Sequence, residues 1–268
     1  MRRLCYGQMK QTLQSCYIPG IPGIDGYSLG EKFREHAESL GVEFTEAQVL
    51  SLGQKDGIWI IGCDEDITLE SKAVIYATGC KNRPLGVPGE EKYYGRGLSF
   101  CAVCDGAFYK GKRVAVIGGG DTALDDAMYL SDICEKVYLV HRREFFRGSA
   151  STLEKLKQKE NVEIIVNARV EEITGDKKID GIILDNKTKL NISGLFAAVG
   201  MIPQTELLKE FGVLDESNYV KASEDTKTTV NGLFAAGDVR TKQLRQVVTA
   251  AADGANAIYS VMEYLRNI

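Results

Sequence analysis

Histidine is scarce in this sequence, with only His36 and His141, and Trp59 is the lone tryptophan. Two histidines leave few ligands for a metal centre, so no metal is expected. Charge of one sign is missing too. The 33 basic and 37 acidic residues are mixed along the chain and leave a formal −4, which gives no electrostatic reason to expect nucleic acid or an anionic membrane as partner. No apolar run approaches the roughly 20 residues that cross a bilayer. The opening Met1-Arg2-Arg3-Leu4-Cys5-Tyr6-Gly7 is basic but lacks the apolar stretch of a secretory signal. A cytoplasmic protein is therefore expected. An even cysteine framework is also absent. The seven cysteines stand at 5, 16, 63, 80, 101, 104 and 134, and only Cys101 and Cys104 form a close pair. That is a poor disulfide scaffold for a secreted domain.

What is present is ordinary for a globular protein: 44% hydrophobic and 26% charged residues over 268 positions, enough for two domains with separate cores. Residues 17–26 read as loop. A capping box at Ser28-x-x-Glu31 opens a helix, whose Leu29, Phe33, Ala37 and Leu40 recur at helical spacing until Gly41. Short β-rich runs follow at 58–61, 67–69 and 73–76, then a Gly- and Pro-rich stretch over 79–97. From about residue 100 a strand (113–117), a glycine turn, a helix (122–130) and a strand (136–140) make a βαβ unit. Strands at 162–166, 180–185 and 195–199, a charged helix near 151–160 and a last helix after 243 complete the chain.

Three segments echo one another, at 73–79, 195–200 and 233–238. Each is an apolar run ending in glycine (Thr78-Gly79, Val199-Gly200, Gly237-Asp238), where backbone can approach a ligand closely. One such segment would read as a buried strand; three point towards nucleotide sites.

Gly118-Gly119-Gly120-Asp121-Thr122-Ala123 is a G-x-G-x-x-A form of the dinucleotide fingerprint, set between a strand and a helix as the motif requires. The helix N-terminus offers free N–H groups to a pyrophosphate. At the end of the second strand an NAD site would carry an acidic residue for the ribose hydroxyl. This chain instead reads His141-Arg142-Arg143-Glu144-Phe145-Phe146-Arg147. Arginines there can grip a 2′-phosphate, so NADPH is expected. Elsewhere in a chain the same run would be a solvated basic turn.

Cys101-Ala102-Val103-Cys104-Asp105-Gly106 lies just ahead of the nucleotide strand. A structural zinc site commonly uses a second close pair, and none exists. A redox disulfide fits better, because Cys-x-x-C geometry favours thiol exchange. Asp105 suits a proton donor or acceptor and equally a turn residue before Gly106. The remaining cysteines read as small buried or surface residues.

Taken in order, the cysteine motif 101–106, the fingerprint 118–123, His141-Arg142-Arg143-x-x-x-Arg147, Gly237-Asp238 and Arg245-Gln246-Val247 resemble the low-molecular-weight thioredoxin reductases. The resemblance runs from about Gly7 to the C-terminus. It implies an α/β protein of two doubly wound nucleotide-binding domains: FAD-binding over 1–83 and 201–268, with an NADPH-binding domain, 84–200, inserted between joints near Arg83 and Gly200. It implies that NADPH passes hydride to FAD, that the flavin reduces the Cys101–Cys104 disulfide, and that the dithiol reduces thioredoxin or a similar small protein. The NADPH domain would rotate between these tasks, and a homodimer is the expected assembly. Positions matching the family's FAD contacts are Gly7-Gln8, Asp238-Val239 and Arg245-Gln246-Val247, the last opening a helix whose N-terminus would point at the flavin.

Two departures stand out. Relatives open with a G-x-G-x-x-G unit for the ADP half of FAD, and this sequence starts near the end of that unit. Tyr17 stands where the family usually places a flavin-contacting Asn. The corresponding expectation is a chain that holds FAD weakly, with an impaired NADPH-binding module as the alternative function. A sibling reductase serving a peroxidase partner is a third possibility.

Overall fold

A computed structural model describes residues 18, 20, 21 and 23–268; Cys5, Gly7, Gln8, Cys16 and Tyr17 lie outside them. The centre of the fold is a five-stranded, all-parallel sheet. Its strands run in the order Leu98–Ser99, Gly194–Ala197, Arg113–Ile117, Lys136–Val140, Val162–Ile165. Side chains alternate across a strand, and the two cores follow that alternation. Ala115 and Ile117 join Leu195, Ala197 and Val140 on one face, beneath the antiparallel strands Val170–Thr174, Gly181–Leu184 and Lys189–Asn191. Val114 and Val116 join Val137, Leu139 and Phe196 on the other, where Ala123, Leu124, Ala127 and Leu130 of helix Asp121–Ser131 and Leu156 of helix Ala150–Lys157 cover them. A strand apolar on both faces is what a parallel sheet covered on both sides requires.

A third core gathers Trp59, Tyr76, Leu208, Val213, Val220, Leu233 and Val239. It lies between a three-stranded antiparallel sheet, Val49–Lys55, Ile58–Cys63 and Thr68–Ser71, and the parallel pair Val74–Tyr76 and Leu233–Ala235. Asp56 and Gly57, at φ +51° and +81°, form the two-residue turn of the first hairpin, the positive-φ geometry that Asp-Gly favours. The chain crosses between these two regions on a short antiparallel ribbon, Cys80–Asn82 against Met201–Pro203. The Arg83 amide donates to the Gly200 carbonyl at its end.

The first helix corrects the capping-box expectation. It spans Gly26–Ser39, and its N-cap is Asp25, whose carboxylate accepts from the Ser28 amide at 2.9 Å and the Ser28 hydroxyl at 2.6 Å. A carboxylate three residues upstream outcompetes the serine for the first free amide. The strands Val49–Lys55, Val170–Thr174 and Lys189–Asn191 have no counterpart in the sequence reading, because none presents a run of three apolar residues and most of their residues stay at least partly exposed. No helix among the described residues is long and apolar enough to cross a membrane.

Candidate functional site

The glycine turn is built from two contacts that leave no room for a side chain. A Cβ on Gly118 would overlap the carbonyl oxygen of Ala198, at the end of the neighbouring strand, and one on Gly119 would overlap the His141 ring. Around Gly120, the N-cap of helix Asp121–Ser131, nothing stands within 4 Å of such a Cβ, so this side is open to a ligand. Thr122 is exposed in the first turn and Ala123 is buried against the sheet.

The basic loop folds back onto this turn. The amides of Arg147 and Gly148 both donate to the Gly119 carbonyl, at 2.7 and 3.2 Å. Asp121 accepts the Ser149 amide at 2.7 Å, so its carboxylate fastens the loop. His141 is buried, its Nε2 meets the Phe145 carbonyl at 3.2 Å, and its ring lies 4.9 Å from Phe146. Burial, then the charges of Arg142, Arg147 and Arg143, hold its pKa below the usual value against the opposing Phe145 carbonyl. A buried neutral ring under Gly119 is a shelf for the turn rather than a cationic grip. Arg142, Arg143 and Arg147 are exposed, and none of them has an ion pair among the described residues. Three cations beside an open helix N-terminus suit a phosphorylated dinucleotide.

Cys101 and Cys104 form a disulfide with their Cα atoms 5.3 Å apart. Cys101 is the N-cap of the short helix Ala102–Asp105, and its sulfur accepts the Cys104 amide at 3.2 Å. Asp105 is buried at the end of that helix. Its Oδ2 accepts the Ser99 hydroxyl at 2.6 Å, and its Oδ1 is buried with no partner among the described residues. Burial raises its pKa and the serine opposes the rise. Behind the motif, burial first and the Asp125 charge second push Asp126 up to about 7, against a hydrogen bond from the Ala102 amide. The other buried thiols are occupied: Cys134 donates to the Tyr109 carbonyl at 3.3 Å and Cys80 to the Asp238 carbonyl at 3.0 Å. Burial pushes both up to about 11, so neither is a thiolate at neutral pH.

The C-terminal residues collect at the end of strand Leu233–Ala235. Asp238 is partly enclosed there, and its Oδ1 is buried without a partner among the described residues. An orphaned acceptor calls for a donor, and the hydroxyls of FAD would supply one, so the residues present fit that group. Arg245 stacks over Tyr219 at 4.1 Å and donates from Nε to the Asp238 carbonyl at 3.3 Å. Gln246 caps helix Val247–Arg266 reciprocally with Thr249, Val239 belongs to the third core, and the Thr78 hydroxyl donates to the Gln204 carbonyl at 2.7 Å. The Gly79 carbonyl accepts the Gln204 amide at 3.0 Å. Among the described residues no hydrogen bond or ion pair joins the turn 118–123 to the segment 237–247.

Three residues absent from the sequence reading matter here: Ser99, Asp126 and Asp253. Asp253 takes the Gly237 amide at 2.8 Å, Arg240 through both oxygens at 2.8 and 2.6 Å, and Lys242 at 2.8 Å. It thereby ties the Gly237-Asp238 loop to the last helix; the available signal was a lone carboxylate within an alanine-rich run. Burial alone would raise its pKa, but the bonds from Arg240, Lys242 and Gly237 outweigh it and hold it low. The side chains of Arg240 and Lys242 are only 3% and 7% exposed. Asp253→Ala should therefore cost about 3–5 kcal/mol in urea unfolding, because it strands buried cations. Because the folded pKa is depressed, this contribution is in place above the ordinary carboxylate pKa and is lost as pH falls through the depressed one. A loss under 1 kcal/mol, or one that grows towards alkaline pH, would contradict this account.

A family model described as pyridine nucleotide-disulphide oxidoreductase matches residues 10–254. The chain is 36% identical over 268 residues to a thioredoxin reductase of Listeria monocytogenes, covering 98% of this chain and 84% of that protein. The solved thioredoxin reductase of Streptococcus pyogenes is 37% identical and superimposes with a TM-score of 0.90 over 98% of this chain and 87% of that one. That of Lactococcus lactis, described as in an FR conformation, is 35% identical over 98% of this chain and 88% of that one, with a TM-score of 0.65. These relatives lend no support to the alternative of an impaired NADPH-binding module. The cofactors of the family are NADPH and FAD. The chain is an oxidoreductase and belongs to the thioredoxin reductases, within the pyridine nucleotide-disulphide oxidoreductases.

Proposed function

We propose that this chain uses NADPH to reduce the disulfide of thioredoxin, or of a similar small protein, through its Cys101–Cys104 pair. The observation that carries this is a disulfide whose short helix ends in a buried carboxyl with one oxygen unpartnered. Gly118–Ala123 with Arg142, Arg143 and Arg147 would hold NADPH. Asp238, Arg245 and the start of helix Val247–Arg266 would hold FAD, with Gly7 and Gln8 proposed from the resemblance alone. FAD, when bound, supplies the two-electron link between nicotinamide and disulfide.

The Cys104 amide on the Cys101 sulfur favours negative charge there once the pair is reduced. Cys101 thiolate attacks one sulfur of the partner's disulfide, and the other partner sulfur leaves as a thiolate. Cys104 then gives its proton to Asp105 and attacks the Cys101 sulfur, which re-forms the disulfide and releases the second partner sulfur. The proton on Asp105 passes to a departing partner thiolate. Two electrons and one thiol proton have moved from chain to partner, and the Cys101–Cys104 disulfide is restored.

The proposal extends to architecture. The regions 84–200 and 1–83 with 201–268 act as two units that turn about the ribbon Cys80–Asn82/Met201–Pro203. Relatives of similar identity but unequal TM-score support the same parts in different arrangements. A homodimer and a cytoplasmic location complete the reading. The test is NADPH oxidation by the FAD-loaded chain with oxidised thioredoxin as sole acceptor, expected to yield one dithiol per NADPH. NADPH consumption without new thiols would refute it.

A further inference from the structure

We propose that Ser99 is a positioning residue for disulfide exchange: its hydroxyl dictates which oxygen of Asp105 carries the transferred proton and keeps that carboxyl able to release it. This rests on the reading above, in which Asp105 is the proton carrier.

Ser99 ends strand Leu98–Ser99, pairs with Phe196 and is buried, so its backbone is held by the sheet. A serine hydroxyl has one hydrogen to donate. The Cys101 amide already donates to Oγ at 3.2 Å. Two acceptors compete for the hydroxyl hydrogen: Asp105 Oδ2 at 2.6 Å and the Cys101 carbonyl at 3.4 Å. The shorter bond to a carboxylate wins. Oδ2 thus faces a donor and has no use for a proton of its own. Oδ1, buried and unpartnered among the described residues, is the oxygen left to carry one.

Burial drives Asp105 towards the protonated form, and the Ser99 bond is the opposing influence. Other titratable groups face the same spot. Tyr109 feels the Asp105 charge, but burial pushes it up to about 12, so it stays neutral. Asp126, on the helix packed against the disulfide motif, is raised to about 7. The sheet strands Leu98–Ser99 and Gly194–Ala197 contribute no ionisable side chain. Without Ser99, burial would act alone, and Asp105 would hold its proton to higher pH, a poorer acceptor for the Cys104 proton.

The experiment compares the FAD-loaded full chain with its Ser99→Ala and Ser99→Thr variants, measuring kcat/KM for oxidised thioredoxin across pH. Ser99→Ala should lose about tenfold near neutral pH, the order expected for a hydrogen bond to a charged group. The loss should shrink as pH rises, because the acidic limb is displaced upward. Ser99→Thr keeps the hydroxyl and should keep the original limb. In an Asp105→Asn background Ser99→Ala should cost nothing further, whereas in Asp126→Asn its effect should persist. An independent measurement needs neither partner nor turnover. The 13C carboxyl signal of Asp105, assigned by its loss in Asp105→Asn, should titrate at higher pH in reduced Ser99→Ala than in the unmodified chain. A pH-independent loss, an undiminished effect in Asp105→Asn, or an unmoved carboxyl titration would overturn the proposal. If the unmodified chain reduces no protein disulfide, the reductase reading fails by itself, and the carboxyl titration still decides the role of Ser99.

Discussion

Cys104→Ser should abolish reduction of thioredoxin while leaving NADPH binding intact and the flavin band still bleached by NADPH. Serine cannot close the disulfide, so after Cys101 attacks a partner no thiol of the chain completes the exchange, and the partner's own freed thiolate returns both proteins to their starting state. A thioredoxin whose second cysteine is Ser, with its remaining thiol activated as a mixed disulfide, should instead be trapped as a covalent complex with Cys101, visible by mass and released by dithiothreitol. Neither buried thiol can take over, because Cys80 and Cys134 are engaged with backbone carbonyls and pushed up to about 11. The residues proposed to hold NADPH, Gly118–Ala123 and the loop that follows His141, are separate from the cysteine pair, so its affinity should be unchanged. Retained thioredoxin reduction in Cys104→Ser would mean that electrons leave by another route.

The second large effect concerns cofactor choice. Replacing both Arg142 and Arg147 with Ala should remove most of the preference for NADPH over NADH. Each charge-assisted bond to the 2′-phosphate is worth about 1.5–3 kcal/mol, so the pair accounts for about 3–6 kcal/mol as a ceiling if the terms add. Both side chains are exposed, where salt screens charge, which places the expected value at the lower end. Neither has an acidic partner to lose among the described residues, so the substitution should leave stability almost unchanged. The Arg147 backbone is pinned to the Gly119 carbonyl, so the loop should also survive. Paired titrations with NADPH and NADH measure the change. Equal affinity for the two cofactors in the unmodified chain would overturn the assignment.

How far the sequence reaches depends on the range of each interaction. The strand Arg113–Ile117, the turn after it, the helix Asp121–Ser131 and the strand Lys136–Val140 are legible because apolar periodicity and the glycine requirement act within a few residues. The Cys101–Cys104 pair is legible for the same reason, since three residues of separation already bring the sulfurs within reach. Even at short range competition can mislead: Asp25 and Ser28 are both good caps, and which one wins depends on which reaches the free amide.

Tertiary structure alone decided the rest. His141 stands in the sequence only as part of a basic run, yet folding places its ring under Gly119, where desolvation lowers its pKa. Asp105 could have been a turn residue or a proton carrier, and the difference lies in its burial and in Ser99, whose hydroxyl reaches Oδ2 through the turn of the chain. Asp253 gains its weight only because Gly237, Arg240 and Lys242 converge on it from a loop more than a helical turn away. The antiparallel ribbon pairs residues 80–82 with 201–203, across all the sequence between them. Composition, spacing and motif determined the family, the cofactor type and the redox pair, because those rest on which residues stand near one another along the chain. Protonation, orientation and connection were decided in three dimensions, because the local dielectric and the partners of a buried group come from segments distant in sequence.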